Sequence, residues 1–149
     1  MFKDATIVFD LDGTLVDTAP DLTNALNDAL TRRGHAAAPL ETIRACVGHG
    51  ARVMIEQALR RTRAEEDVDQ MLAEFLLHYE ANIAAESRPF PGAVAALERL
   101  AAQGATLAVC TNKREYLSQR LLEALQIDRI SPPSPGATPS PPRSPIPAT

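Results

Sequence analysis

The sequence predicts an α/β fold in which a small parallel sheet carries an inserted helical subdomain. Two apolar stretches, residues 5–9 and 105–110, are short and β-rich like buried strands, and polar side chains follow each. A helical stretch directly precedes the second strand, as in parallel sheets with crossover connections. The helices predicted between residues 17 and 88 are too many for one crossover, so we interpret them as an insert.

The first unit, residues 1–16, holds the first strand and nearly all of the sequence "IVFDLDGTLVD", which spans residues 7–17. Ala5 to Phe9 is an uninterrupted β-rich run, which predicts a central strand buried on both faces. The strand ends at Asp10 and Asp12, and Gly13 behind them would let the backbone turn sharply away.

Residues 17–88 are predicted to form a helical cap. Its first helix begins near Pro20 and stops at Gly34, and further helices are expected at 40–46 and 51–62, joined by the loop "VGHG". That loop either shapes substrate access or is a flexible connection. A fourth helix carries an apolar stripe from Val68 to Tyr79, which we interpret as packing within the cap and not as a binding face.

Residues 89–130 return to the sheet, and this unit begins within the break "RPFPG" at 88–92. A helix that Gly104 ends leads into the second strand, and another helix is expected over 114–127. Thr111 and Asn112 follow the strand directly, and Lys113 is predicted to lie in solvent at the start of the last helix.

The last segment, residues 131–149, is different in composition. It holds 8 of the chain's 12 prolines, and Ile146 is its one large apolar residue. Such a segment buries too little surface to offset its ordering entropy, so we expect disorder. Its residues except Ile146 can all be encoded with C or G at the middle codon position, which is also the expectation for a GC-rich gene read in a shifted frame.

Charge, cysteine content and hydropathy limit the expected classes of partner and the expected cellular location. A net charge of −4 with scattered basic residues predicts neither nucleic acid nor an anionic membrane as a partner. Cys46 and Cys110 form no motif and are interpreted as buried thiols in a reducing compartment. The sequence has no signal region and no apolar run of membrane-spanning length, so a cytoplasmic location is expected. The oligomeric state stays open.

The polar residues at the two strand ends carry the chemistry. The carboxyl ends of parallel strands meet at one edge, where ligands bind. There Asp10 can be a nucleophile, and Asp12 can act as general acid and then base. A divalent cation would hold Asp10 near an anionic phosphate. The Thr111 hydroxyl and the Asn112 amide can hold phosphoryl oxygens. The pattern indicates phosphoryl transfer to Asp10.

Simpler interpretations exist for each part of this pattern. Asp10 and Asp12 can form a turn after a strand. A calcium-binding EF-hand loop fails, because its sixth and twelfth positions would be Leu15 and Asp21. Thr111 and Asn112 alone would more often be a cap between a strand and a helix.

The motifs resemble those of the haloacid dehalogenase superfamily. "DLDGTLVD" matches its first motif, D-x-D-x-T-[LV], "VCTN" resembles its second, and their order over residues 1 to about 127 is similar to its phosphatases with helical caps. The resemblance implies a Rossmann-like parallel core and a two-step hydrolysis through an aspartyl phosphate. It makes Asp10 the nucleophile and a Mg²⁺ ligand. Asp12 becomes the acid/base and gives its carbonyl to the metal, and Thr111 and Asn112 bind phosphate.

The resemblance also sets the expected substrate, a small phosphorylated acid such as 2-phosphoglycolate. Asp12 favours a phosphate ester, because dehalogenases of the superfamily generally lack this second aspartate; a phosphomutase stays open. The superfamily's later lysine and acidic motif are missing, since no lysine or aspartate follows Asp128. The core is therefore expected to be partial. The competing hypothesis is a truncated or frameshifted product without catalytic competence.

Overall fold

The computed structural model describes residues 1–128. The predicted disorder of residues 131–149 lies outside this part of the chain. No helix within it is long and apolar enough to cross a membrane. The elements are β1 (Thr6–Phe9), β2 (Val16–Asp17), α1 (Ala19–Thr31), α2 (Leu40–Arg44), α3 (Ala51–Thr62), α4 (Val68–Ala81), β3 (Arg88–Pro89), α5 (Ala93–Ala102), β4 (Thr106–Val109) and α6 (Glu115–Ala124).

The two predicted strands pair directly although about 100 residues separate them. β1 and β4 are parallel, in a register that sets Thr6 opposite Thr106 and Phe9 opposite Val109. The Cys110 amide donates to the Phe9 carbonyl over 2.8 Å. Asp10 and the residues after β4 therefore leave the sheet at the same edge, as parallel pairing requires.

The prediction that β1 is buried on both faces is wrong within the described residues. Phe9, Leu107 and Val109 pack against the core, but Val8 is 58% exposed. Successive side chains of a strand point to opposite faces. The core formed by α5, α6 and the loop after β1 thus covers one face of the β1–β4 pair. The apolar run in the sequence did not indicate which face that is.

Two hydrophobic clusters divide the packing. One is built by α1–α4 and includes Leu26, Leu30, Ile55, Met71 and Phe75. The other joins the loop after β1 to α5 and α6. Leu117 of α6 belongs to the first cluster, so this helix packs against both groups of elements. The predicted domain boundaries at 17 and 88 stay predictions.

A short antiparallel pair lies where the chain enters and leaves the helical insert. Val16 of β2 faces Pro89 of β3, and Asp17 faces Arg88. This pair could not be predicted from the sequence, because a two-residue strand is too short to show a periodic pattern. The two connections run side by side, and this arrangement positions the α1–α4 group over the ends of β1 and β4.

Candidate active site

Asp10 lies exposed at the tip of β1. Its Oδ1 accepts a 2.8 Å hydrogen bond from the amide of Leu11, which fixes the orientation of the carboxylate. Oδ2 has no hydrogen-bond partner among residues 1–128. An accessible carboxylate oxygen at the edge of the sheet is the arrangement that a nucleophile requires.

Asp12 is 8% exposed, and its two oxygens differ. Oδ1 accepts from the Thr18 hydroxyl at 2.8 Å and lies 3.2 Å from the Lys113 ammonium nitrogen. Oδ2 bonds to no described residue and is the oxygen available for proton transfer. Gly13 follows at φ +78°, and its amide donates to the Val16 carbonyl over 2.9 Å, so the predicted sharp turn is confirmed.

Lys113 does not lie in solvent, and that prediction is wrong. Its side chain is 6% exposed, and besides facing Asp12 its ammonium donates a 2.8 Å hydrogen bond to the Tyr79 hydroxyl. Burial lowers the pKa of Lys113, while the charge of Asp12 opposes that change. Burial, followed by the charges of Asp12 and Asp21, raises the pKa of Tyr79, which therefore stays protonated at neutral pH.

Thr111 and Asn112 lie beside the same group of residues. The Thr111 hydroxyl accepts from the Lys113 amide at 3.2 Å, and its own proton remains free to be donated. The Asn112 side-chain amide donates over 2.7 Å to the carbonyl of Gly48 in the "VGHG" loop. The chain after β4 therefore contacts the helical insert directly. Phosphate binding by these two residues stays a prediction.

The "VGHG" loop lies against Asp10 and Asp12. A β-carbon built on Gly48 would lie 3.7 Å from Asp10 Oδ2 and 3.9 Å from the Asp12 carbonyl oxygen. Of the two interpretations that the sequence left open, this placement favours a loop that shapes access to the site. His49 is exposed, and its Nδ1 lies 3.3 Å from the Cys46 carbonyl.

The resemblance assigns the Asp10 carboxylate and the Asp12 carbonyl oxygen to a metal. Asp10 Oδ2 and the Asp12 carbonyl oxygen both lie within 4 Å of the position that a β-carbon of residue 48 would occupy. Because residue 48 is glycine, this position is empty. Hard oxygen donors suit Mg²⁺, which is commonly bound by one or two carboxylates with substrate phosphate and water as further ligands. No cluster of three or more His, Cys, Asp or Glu side chains suited to a metal occurs within residues 1–128. The donors present fit Mg²⁺ that shares its coordination with substrate and water.

A small cavity adjoins these residues. Its volume is about 40 Å³, and its lining is polar at Asp12, Gly48 and Lys113 and apolar elsewhere, at Leu22, Gly50, Ala51, Met54, Phe75, Leu76, Leu117 and the ring of Tyr79. Buried α4 residues do pack within the insert as predicted, with the Phe75 and Tyr79 rings stacked 6.0 Å apart. Phe75, Leu76 and Tyr79 of the α4 stripe also line this cavity, and the prediction that the stripe is not a binding face stays a prediction.

Arg44 of α2 is held by an ion pair. It lies 2.8 Å from Asp17, and that hydrogen bond raises the pKa of Arg44. Cys46 is buried as predicted, but Cys110 is exposed, because it follows β4 at the open edge of the sheet.

Comparisons with known proteins agree with this geometry. The family described as haloacid dehalogenase-like hydrolase matches residues 7–131. A phosphoglycolate phosphatase of Agrobacterium fabrum is 48% identical over 125 residues, covering 82% of this chain and 54% of the relative. One of Caulobacter vibrioides is 47% identical over 126 residues, with 83% and 53% covered. The chain thus spans about half the length of the curated relatives it matches.

Solved structures share the fold. A predicted phosphoglycolate phosphatase of Haemophilus somnus superposes with a TM-score of 0.77 at 30% identity, over 88% of this chain and 61% of the other. A haloacid dehalogenase-like hydrolase of Streptococcus pneumoniae gives 0.75 at 25% identity, over 85% and 58%. The α/β core with a helical insert is therefore an arrangement found in solved proteins.

Proposed function

The chain belongs to the haloacid dehalogenase-like hydrolases, and we propose that it carries the first half of the site of a Mg²⁺-dependent phosphatase. The substrate is a small phosphorylated acid, with 2-phosphoglycolate as the first candidate because relatives at 47–48% identity are phosphoglycolate phosphatases. The observation that carries the proposal is the position of Asp10 and Asp12 beside Gly48, at the end of β1.

The reaction proceeds in two steps. An Asp10 oxygen attacks phosphorus, the ester O–P bond breaks, and Asp12 gives its proton to the departing alkoxide oxygen. Water then attacks the phosphorus of the aspartyl phosphate and loses a proton to Asp12, which releases phosphate and restores Asp10. Asp12 Oδ2 is suited to both proton transfers, because Thr18 and Lys113 hold Oδ1.

Phosphate binding in this proposal uses both strand ends. The Thr111 hydroxyl proton and the second N–H of the Asn112 side chain are the donors for phosphoryl oxygens. Asp10 and the Asp12 carbonyl would hold Mg²⁺, which would supply positive charge next to the phosphate. The bond from Asn112 to Gly48 supports this assignment, since it keeps the two strand ends and the loop together.

A second candidate is a product that binds ligands without turnover. It is favoured by the lack of a cluster of three acidic, histidine or cysteine side chains within the described residues. Phosphate release from 2-phosphoglycolate by the purified chain, with Mg²⁺ and with EDTA, separates the two. Mg²⁺-dependent release supports the phosphatase. No release, together with Mg²⁺-dependent binding of a beryllium fluoride phosphate mimic, supports the second candidate.

A further inference from the structure

Lys113 is a buried cation whose hydrogen-bonding capacity is not fully used. An ammonium has three N–H donors, and in residues 1–128 it meets two acceptors, Asp12 Oδ1 at 3.2 Å and the Tyr79 hydroxyl at 2.8 Å. The Tyr79 hydroxyl accepts from Lys113 and donates to no described residue. Two donors, one charged and one neutral, therefore remain at this place.

The cavity next to them limits what they can bind. About 40 Å³ admits roughly three water-sized groups, which is the size of a carboxylate and too little for a sugar or a base. Lys113 is the one cation among the described residues that line this cavity. Gly48 lines it as well, and a β-carbon there would lie 3.7 Å from Asp10 Oδ2, so the cavity opens beside the proposed phosphate site.

We propose that Lys113 and Tyr79 form a subsite for the carboxylate of the phosphorylated acid, and this rests on the proposed function. The Lys113 ammonium is the counter-ion, and the Tyr79 hydroxyl donates a second hydrogen bond. Asp12 tolerates the shared cation because Thr18 still donates to its Oδ1 at 2.8 Å. Met54, Phe75 and Leu76 form an apolar wall beside Lys113, and apolar surroundings strengthen a contact of ammonium with carboxylate.

The test compares two ligands that cannot be hydrolysed. 3-Phosphonopropionate copies 2-phosphoglycolate with CH₂ in place of the ester oxygen, and propylphosphonate lacks its carboxylate. Titration calorimetry of the purified chain with Mg²⁺ should show a preference of about ten- to a hundredfold for 3-phosphonopropionate, the value of a charge-assisted hydrogen bond. Lys113→Met should abolish that preference, so that the ratio of the two Kd values falls to about one, because methionine keeps the length and loses the charge.

The other lysine of the chain provides the matched control. Lys3 is exposed at the far end of β1, so Lys3→Met should keep the full preference. If Lys113→Met fails to fold by circular dichroism, Tyr79→Phe replaces it, since it removes one neutral donor and should reduce the preference by about two- to tenfold.

Three results would overturn the subsite. If the wild-type protein binds both ligands with equal Kd, the carboxylate contact is contradicted, while the proposed phosphate site is not. A Lys113→Met variant that loses affinity for both ligands to the same degree assigns Lys113 to phosphate or to Asp12 alone. Binding of neither ligand to wild type removes the proposed function and the subsite together.

Discussion

Asp21 of α1 and Ser87 lie 66 positions apart in sequence and are joined by two hydrogen bonds. Asp21 Oδ2 accepts from the Ser87 amide at 2.7 Å and from the Ser87 hydroxyl at 2.6 Å, and the Glu86 amide donates to Oδ1 at 3.0 Å. Asp21 is 2% exposed and Ser87 is fully buried. One carboxylate thus fixes the chain that leaves the helical insert against the helix that begins it.

Asp21→Asn should destabilise the protein by about 2 kcal/mol, because an amide nitrogen would face backbone donors that now meet a carboxylate oxygen. The free energy of unfolding in urea measures this loss. Asp28→Asn on the same helix is the control, since Asp28 pairs with the largely exposed Arg32 and should cost less than about 1 kcal/mol. Equal losses in the two variants would contradict the role given to Asp21.

The pair of Arg33 and Glu74 predicts a dependence of stability on pH. Arg33 binds Glu74 through its two terminal guanidinium nitrogens, and this hydrogen bonding lowers the pKa of Glu74. A carboxyl group whose pKa is lower in the folded state than in the unfolded state stabilises the fold. That stability is fully present above the pKa of an unfolded-state glutamate, about 4.3, and is lost as the pH falls through the pKa of the folded state. Glu74→Gln should therefore be less stable than wild type at pH 7, and the difference should shrink in acid.

Urea unfolding at pH 7 and near pH 3 measures that difference. Glu65→Gln makes the same change at an exposed residue with no ion pair within residues 1–128, and it should match wild type at both values. A Glu74→Gln deficit that is as large in acid as at neutral pH would assign the effect to packing rather than to charge.

The sequence predicted most of the elements because their signals are local. The helical period, Pro20 and the glycines after the helices placed α1–α6 within a few residues, and the apolar runs predicted β1 and β4. The pairing of β2 with β3 and the exposure of Val8 were missed. Both depend on contacts between residues far apart in the chain, to which no periodic pattern corresponds.

Site residues could be predicted where the residue type and its position after a strand were enough. They were missed where the direction of the side chain determines its contacts. Asp10 and Asp12 follow a strand, so their place at the sheet edge could be inferred. Lys113 directly precedes the last helix, and a lysine at such a position usually lies in solvent. Its burial depends on Tyr79, 34 positions earlier, whose hydroxyl accepts a hydrogen bond from the Lys113 ammonium. The one available signal was a tyrosine on an otherwise apolar helix stripe, since a buried hydroxyl needs a partner.

The two carboxylates should differ in how their loss affects turnover. Asp10→Asn should abolish phosphate release, because an amide cannot replace the nucleophile. Asp12→Asn should lower the rate about 10²–10⁴-fold, with larger losses for alkyl than for aryl phosphates, since aryl oxides leave without a proton. Steady-state phosphate release measures both. Asp4→Asn, exposed before β1, is the control and should keep wild-type rates. An Asp10→Asn variant with a tenth of the activity would rule out the assigned nucleophile.

Gly48→Ala should weaken Mg²⁺-dependent activity and phosphonate binding beyond what its loss of stability explains. Gly48 has φ +92°, so alanine costs about 1–3 kcal/mol of backbone strain, and its β-carbon would lie 3.7 Å from Asp10 Oδ2 in the space assigned to the metal. Gly34→Ala is the matched control: Gly34 has φ +76°, but nothing lies within 4 Å of its β-carbon position. Both variants should lose similar stability in urea, whereas the Mg²⁺ concentration needed for half-maximal phosphonate binding should rise in Gly48→Ala alone. An equal rise in both variants would show that backbone strain, and not the space beside Asp10, is what the metal requires.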